Sequence, residues 1–265
     1  MDDKGETMEI EFTHFYEWVK FNLGIDLFAY KEKQLQRRIL TIMKTTGATN
    51  LKEYSQLIKN NKQIRQEFLD YITINVTEFF RNPELFLDLE QLIKLDLLPE
   101  FKELKIWSAA CSIGCEPYSL GIMTQREKIP LKTTILATDI DLTILKKAKA
   151  GIYKANELKN VKPHDLVTYF SERDEQYHIN SAIKQLVHFK QHDLLQDKYG
   201  KDFHLIVCRN VTIYFKPEAR DAIYRKFNDA LVMGGIFFTG ATETISNPET
   251  FGFKKLSTFM YQKIS

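Results

Sequence analysis

Apolar positions in the first third of the chain recur every three or four residues. "FTHFYEWVKFNLG" keeps this spacing and stops at Gly24; "YKEKQLQRRILTIMKTTG" keeps it and stops at Gly47. In the second stretch Leu35, Ile39, Ile42 and Met43 share one face, while Lys33, Arg37 and Lys44 fall on the opposite one. "NLKEYSQLIKN" and "KQIRQEFLDYITI" predict two further helices, and a long one runs from Pro83 towards Leu98-Pro99. Nothing in this third alternates with the two-residue period of a strand.

Further on, the pattern changes. Apolar runs of strand length recur as "LKIWSAA", "TTILATDI", "LVHFKQH", "FHLIVCRN", "GGIFFTGA" and "FMYQKI", and helical patterns at 117–128, 141–150 and 217–232 separate several of them. Strands alternating with helices predict an α/β fold with a mostly parallel sheet covered on both faces. The last strand follows its predecessor through "TETISNPETFGFKKLST", without a crossover helix, and is expected to be antiparallel at or near an edge. The segment 163–190 is polar and aromatic. It reads as an insertion, a small β excursion around "DEQYHIN" and "AIKQLVHF". The break between the two patterns is expected near Pro99 to Lys105.

Composition narrows the class. The 265 residues are 44% hydrophobic and 27% charged, enough for a real core, and the net charge of +2 gives no global field for nucleic acid. No apolar run is long enough to span a bilayer. "MDDKGETMEIEF" lacks the basic-then-apolar form of a signal peptide, so the expected compartment is the cytoplasm. The three cysteines, Cys111, Cys115 and Cys208, form an odd, sparse set that suits a reducing environment. Cys111 and Cys115 have no second Cys or His pair beside them, and no metal is expected.

Open α/β sheets bind ligands beyond the carboxyl ends of their strands. Three such ends are polar here: "SAACSIGCEP", "ATDID" and "CRNVTIYF". The first has the shape of a nucleotide loop, yet neither G-x-G-x-x-G nor G-x-x-x-x-G-K-[ST] is present, and Glu116 stands where a phosphate would want positive charge. Glu116 is either a helix cap ahead of Pro117 or a ligand for a cationic nucleoside. S-adenosylmethionine is such a nucleoside, with a sulfonium, an ammonium, one carboxylate and no phosphate. Asp139 lies about 25 residues after Gly114, near the spacing of about 20 at which an acid meets a ribose diol. It could equally cap the next helix, a role Asp141 could take instead.

"NVTEFFRNPELF", "IWSAACSIGCEPYSLGI", "ILATDIDLTILKKAKAGIY", "LIVCRNVTIYF" and "GATE" together resemble the chemotaxis-receptor glutamate methyltransferases of the CheR type, in that family's order and spacing. The resemblance spans nearly the whole chain. It implies a class I, Rossmann-like methyltransferase domain over 99–265, with a small β subdomain inserted at about 165–190. An all-helical N-terminal domain and linker helix would occupy 1–98. It implies S-adenosyl-L-methionine as cofactor and S-adenosyl-L-homocysteine as product. Asn75, Thr77 and Arg81 would lie at the entrance of the cofactor site, and Glu116 and Asp139 would be its carboxylates. Asp193 and Leu194 would flank the adenine, and Arg209 and Asn210 would complete the site. Arg81 and Tyr214 stand where the family places residues near the methyl-transfer centre. Four departures stand out: Cys115 replaces the first acid of the usual G-E-E-P-Y-S, Asp193 stands where other members can carry Asn, His204 stands where Asp is common, and "GATE" stands where "GHSE" is frequent.

The expected reaction is methyl transfer to glutamate side chains of methyl-accepting chemotaxis receptors, in their cytoplasmic domains, by a monomeric enzyme. A glutamate side chain has a pKa of about 4.3 and is ionised at neutral pH, so transfer needs no general base. Arg81 and Tyr214 are therefore expected to orient and bind, and catalysis to rest on positioning and desolvation. The basic face Lys33, Arg37 and Lys44, with Arg38 nearby, is expected to contact the acidic methylation region of the receptor; a merely solvated face would look the same. Competing readings are a non-catalytic cofactor sensor or receptor adaptor, a small-molecule O-methyltransferase and a base methyltransferase. The last is disfavoured by "RNVTIY" in the place of D/N-P-P-Y/F and by the lack of a basic-aromatic stripe.

Overall fold

The computed structural model describes residues 3–73 and 77–265. Contacts divide the chain into two units, Met1–Asn75 with Tyr214–Ala219, and Val76–Ile213 with Arg220–Ser265.

The first unit is helical: α1 (Asp3–Leu23), α2 (Glu32–Thr45), α3 (Leu51–Asn60) and α4 (Lys62–Thr73). Its strand-like pairing, among the described residues, is one isolated bridge from Tyr30 to Phe215. The sequence period explains the packing. Leu35, Ile39, Ile42 and Met43 of α2 are buried, while Lys33, Arg37 and Lys44 are exposed. The Phe15 and Tyr54 rings meet Phe68 edge-on at 5.9 and 6.0 Å. α3 starts where Asn50 accepts the Glu53 N–H at 2.8 Å, and Glu53 accepts the Thr49 N–H in return at 2.8 Å. The distant segment joins through backbone: Lys31 N–H donates to the Tyr214 carbonyl (2.9 Å), and Lys216 N–H to that of Ala29 (2.7 Å).

The second unit opens with α5 (Pro83–Leu92), a π-helical turn (Ile93–Leu97) and α6 (Leu98–Phe101). This is the long helix the pattern predicts, widened one turn before its end. Pro99 has no N–H and its ring crowds the preceding turn, and the Leu98 N–H reaches back five residues to Ile93. There follow β1 (Ile106–Ala109), α7 (Cys115–Arg126), β2 (Ile135–Asp139), α8 (Leu142–Ala150), β3 (Ile152–Tyr153), α9 (Pro163–Tyr169), β4 (Phe170–Arg173), β5 (Gln176–Ile179), α10 (Ser181–Lys184), β6 (Val187–Gln191), β7 (Phe203–Cys208), α11 (Pro217–Ala230), β8 (Leu231–Thr239), β9 (Phe253–Lys255) and β10 (Met260–Lys263).

The main sheet has the order β6-β2-β1-β7-β8-β10-β9. The first five strands in that order run parallel, and β10 is antiparallel to both β8 and β9. The chain winds outward from β1 to β2 to β6 and then returns to β7 on the other side of β1. That reversal is the switch point, where an open sheet leaves a crevice at its carboxyl edge.

Two details differ from the sequence expectation. The units divide at Asn75/Val76, whereas the change of pattern suggested a break near Pro99 to Lys105 and the resemblance one at 98/99, because Leu85, Phe86, Leu89, Ile93 and Leu97 are buried in the core of the second unit. The small β excursion is the sheet β3-β5-β4; its hairpin covers 170–179, while "LVHFKQH" supplies β6 of the main sheet. The last strand, β10, is antiparallel and one place from the edge, as expected; the edge itself is β9, a three-residue pairing inside what reads as a loop.

Candidate functional site

Five parallel strands bring the ends of β1, β2, β6 and β7 to one edge, and the loops after them carry most of the candidate residues. The loop after β1 holds an unusual backbone. Ala110 (φ 65°), Ser112 (φ 49°) and Gly114 (φ 90°) all lie in the left-handed region. Only Gly114 is a glycine, and its position demands one: a Cβ there would sit 3.1 Å from that of Ala148 and 3.2 Å from the Tyr153 hydroxyl. Three amides of this loop are spent within the chain. Cys111 N–H donates to the Thr138 carbonyl (2.8 Å), Gly114 N–H to that of Cys111 (3.0 Å), and Ser112 N–H to Asp139 Oδ2 (2.9 Å). They form no phosphate cradle.

Two carboxylates, one buried and one partly buried, face this region. Asp139, 8% exposed, also accepts the Asp141 N–H on Oδ1 at 3.1 Å. Burial raises its carboxyl to about 6, against the lowering effect of those backbone bonds. It does not cap α8. Asp141 does, accepting from Thr143 N–H (2.7 Å) and Ile144 N–H (3.3 Å). Glu116 lies in the first turn of α7, whose cap position is Gly114 with no side-chain cap bond. Its Oε1 accepts from the Ser108 hydroxyl (2.8 Å), and its Oε2 stands 3.8 Å from Arg209 Nη1. Burial raises its pKa; Arg209, the Ser108 bond and Arg81 pull it down. Neither candidate carboxylate makes a helix-capping bond, although Glu116 stays in the first turn of α7.

Arg209 ties the β7 end to the segment before α5. Its Nη2 donates to the Arg81 carbonyl (2.8 Å) and to Asn82 Oδ1 (2.9 Å), and its guanidinium stacks over Phe238 at 4.8 Å. The Nε is buried with no hydrogen-bond partner. Phe80 N–H donates to the Ser119 hydroxyl of α7 at 2.9 Å, which fixes the same segment from the other side. Glu116 in the first turn of α7, Asp139 at the end of β2, and Arg81, Arg209 and Asn210 in loops thus belong to one edge of the sheet. Asn75 lies outside the described residues.

Asp193 is committed locally. Its Oδ1 accepts the Leu195 N–H and its Oδ2 the Gln196 side-chain amide, each at 2.7 Å. Leu194 is buried, and its carbonyl accepts from the Tyr199 hydroxyl at 2.8 Å. Tyr214 belongs by contact to the helical unit. Arg37 is exposed on α2, but Arg38 is not: its guanidinium sits 4.7 Å over the Tyr71 ring and donates to the Tyr71 carbonyl. Two residues at the site escaped the sequence reading. Ser108 and Ser112 are ordinary small residues in a strand and a loop, and only register and turn geometry give them Glu116 and Asp139 as partners.

The sequence profile described as "CheR methyltransferase, SAM binding domain" matches residues 75–260, and "CheR methyltransferase, all-alpha domain" matches residues 10–73. The chain belongs to the CheR methyltransferase family. A "Chemotaxis protein methyltransferase" of Listeria innocua is 40% identical over 97% of this chain and 98% of its own length. Proteins of the same description from Borreliella burgdorferi and Escherichia coli are 33% and 30% identical, over 89% and 94% of this chain and 88% and 89% of their own.

The cofactor of this CheR methyltransferase is S-adenosylmethionine, and the site suits it. A buried and a partly buried acid, loop amides engaged within the chain and an orphaned Arg209 Nε are compatible with a cationic ligand that carries hydroxyls and a carboxylate. Among the described residues no cluster of His, Cys, Asp and Glu could hold a metal ion, and no helix is long and apolar enough to cross a membrane.

Cys115 also finds an account. It is fully buried, hydrogen-bonded with the Thr77 side chain, and within the electrostatic reach of Glu157 and Glu78. Burial, and then those two acids, push its thiol well above the ordinary range. A carboxylate in its place would add a third negative charge beside Glu157 and Glu78.

Proposed function

We propose that the chain transfers the methyl group of S-adenosylmethionine to the side-chain carboxylate of specific glutamates in the cytoplasmic domain of methyl-accepting chemotaxis receptors, producing glutamate methyl esters. The observation that carries this is the near-full-length similarity to proteins described as chemotaxis protein methyltransferases. The geometry is consistent with it: the buried edge offers orienting cations and carboxylates, and the reaction needs no proton acceptor.

In this reading Asp139 accepts from ribose hydroxyls through the lone pairs its backbone partners leave free. Glu116 faces the cationic end of the cofactor. Thr77, Arg81, Arg209 and Asn210 close around it, with Asn75 assigned by resemblance. Leu194 contributes an apolar surface for the adenine, while the Asp193 carboxylate acts by shaping its turn. The cofactor supplies an electrophilic methyl group when bound. Arg81 and Tyr214 orient the accepting carboxylate without taking a proton. Receptor contact belongs to Lys33, Arg37 and Lys44 on the exposed face of α2; Arg38, packed on Tyr71, holds that helix in place.

The test is transfer of labelled methyl from S-adenosylmethionine to receptor-containing membranes. Alkali-labile label in the receptor band is the expected result, as for an ester. Alkali-stable label, or label recovered in RNA, would overturn the assignment.

A further inference from the structure

The "GATE" segment, residues 240–243, follows β8 and lies beside the turn that follows β7. Glu243 is 4% exposed and carries a dense set of donors. Its Oε2 accepts the N–H of Asn210 (2.5 Å) and of Gly240 (2.8 Å). Its Oε1 accepts the N–H of Thr212 (2.7 Å) and Val211 (3.0 Å), the Thr212 hydroxyl (2.8 Å) and, at the long end, the Ile213 N–H (3.3 Å). One carboxylate thus gathers the successive amides of the turn that starts with Arg209 and Asn210. Asn210 sits there at φ 60°, a conformation that costs a non-glycine residue and persists only when its surroundings fix it.

Gly240 completes the arrangement. A Cβ at that position would stand 2.4 Å from Glu243 Oε2 and 2.7 Å from the Asn210 nitrogen. No side chain fits between them, so Gly240 and Glu243 act as one device. The electrostatic reach extends further: Glu243 favours the charged form of Arg209 and disfavours that of Glu116.

We propose that Glu243 is a positioning residue of the cofactor site: by collecting the amides of Asn210 to Ile213 it fixes the turn from which Arg209 reaches Glu116 and the Arg81–Asn82 segment. It touches neither cofactor nor substrate in this role. The inference rests on the reading that Arg209 and Asn210 belong to the cofactor site.

The experiment uses the full chain, with S-adenosylhomocysteine as the probe, titrated by calorimetry below the melting temperature of every variant. Glu243→Gln keeps the shape but turns an NH2 group towards backbone donors. Its dissociation constant is expected to rise at least tenfold, and amides 210–213 to lose their protection from hydrogen exchange. Phe253→Leu, in the edge strand β9, serves as a comparison that lowers the melting temperature without touching the turn, and its affinity is expected to stay within twofold of the parent. A Glu243→Gln chain that is folded and binds within twofold of the parent overturns the proposal. Should that variant fail to fold, Thr212→Val removes one donor to the carboxylate; a threefold weaker affinity supports the proposal and an unchanged one overturns it. Arg209→Gln is measured in parallel: parental affinity there sinks the cofactor-site reading itself, whereas weak binding by Arg209→Gln beside parental binding by Glu243→Gln sinks only the positioning role.

Discussion

Asp139 and Asp141 stand two residues apart and do different work, and the difference is measurable. Asp141 has the helix-capping bonds; Asp139 is buried and raised to about 6. An unfolded aspartate titrates near 3.9. Between those values the folded chain binds the extra proton, so the cofactor-free protein loses stability as pH rises from about 4 to about 6, and the penalty is complete above that. Ligand hydroxyls that donate to the ionised carboxylate recover part of it. Affinity for S-adenosylhomocysteine is therefore expected to strengthen by up to about tenfold per pH unit from 5 to 6 and then level off. Asp139→Asn should bind more weakly with a flatter profile in this range. A parental pH profile in that variant would remove Asp139 from the site.

At the scale of elements, the helix starts show which sequence cues reach the structure. Pro83 opens α5 through its fixed φ, and Asn50 caps α3 and Asp141 caps α8 by short-range bonds; a local pattern can reveal all three. Asp141→Ala should therefore behave as a lost cap, costing about 1 kcal/mol and lowering the melting temperature by roughly 2–4 °C. The backbone N–H of residue 141 still donates to Asp139, so S-adenosylhomocysteine affinity should stay within twofold; a tenfold loss would show that the cap and the site are not separable. Other elements leave no such cue. The π turn at Ile93–Leu97 is a response to Pro99, and β9 is a pairing created by β10 beside it. Neither has a period of its own in the sequence.

For the whole molecule, the boundary at 75/76 carries a consequence. Leu85, Phe86, Leu89, Ile93 and Leu97 are at most 8% exposed and lie in the core of the second unit. At about 1.5–3 kcal/mol each, five such side chains contribute on the order of 7–15 kcal/mol. That equals the net stability of a typical domain, about 5–15 kcal/mol. A fragment of residues 76–265 is expected to melt cooperatively and to bind S-adenosylhomocysteine, while one of residues 99–265 should show no cooperative transition by circular dichroism. Cooperative melting of the shorter fragment would restore a boundary at 98/99.

The sequence by itself determined the helical first unit, the α/β character of the second and, through its motif blocks, the family and its cofactor. Those features are local in the chain: hydrophobic period, caps and short runs of residues survive any rearrangement at longer range. It also named Glu116 and Asp139 but left each with a capping alternative. Tertiary structure settled what capping could not, because a carboxylate's partner is whichever donor the fold brings to it. Ser108 reaches Glu116 from the strand before its loop, eight residues back, and Ser112 reaches Asp139 from 27 residues away. The same reason hid Glu243, whose donors at Asn210 to Thr212 lie 31 to 33 positions away along the chain. Arg37 and Arg38 show it in miniature: adjacent in sequence and alike in charge, they part company because 100° of helix turns one to solvent and the other onto Tyr71.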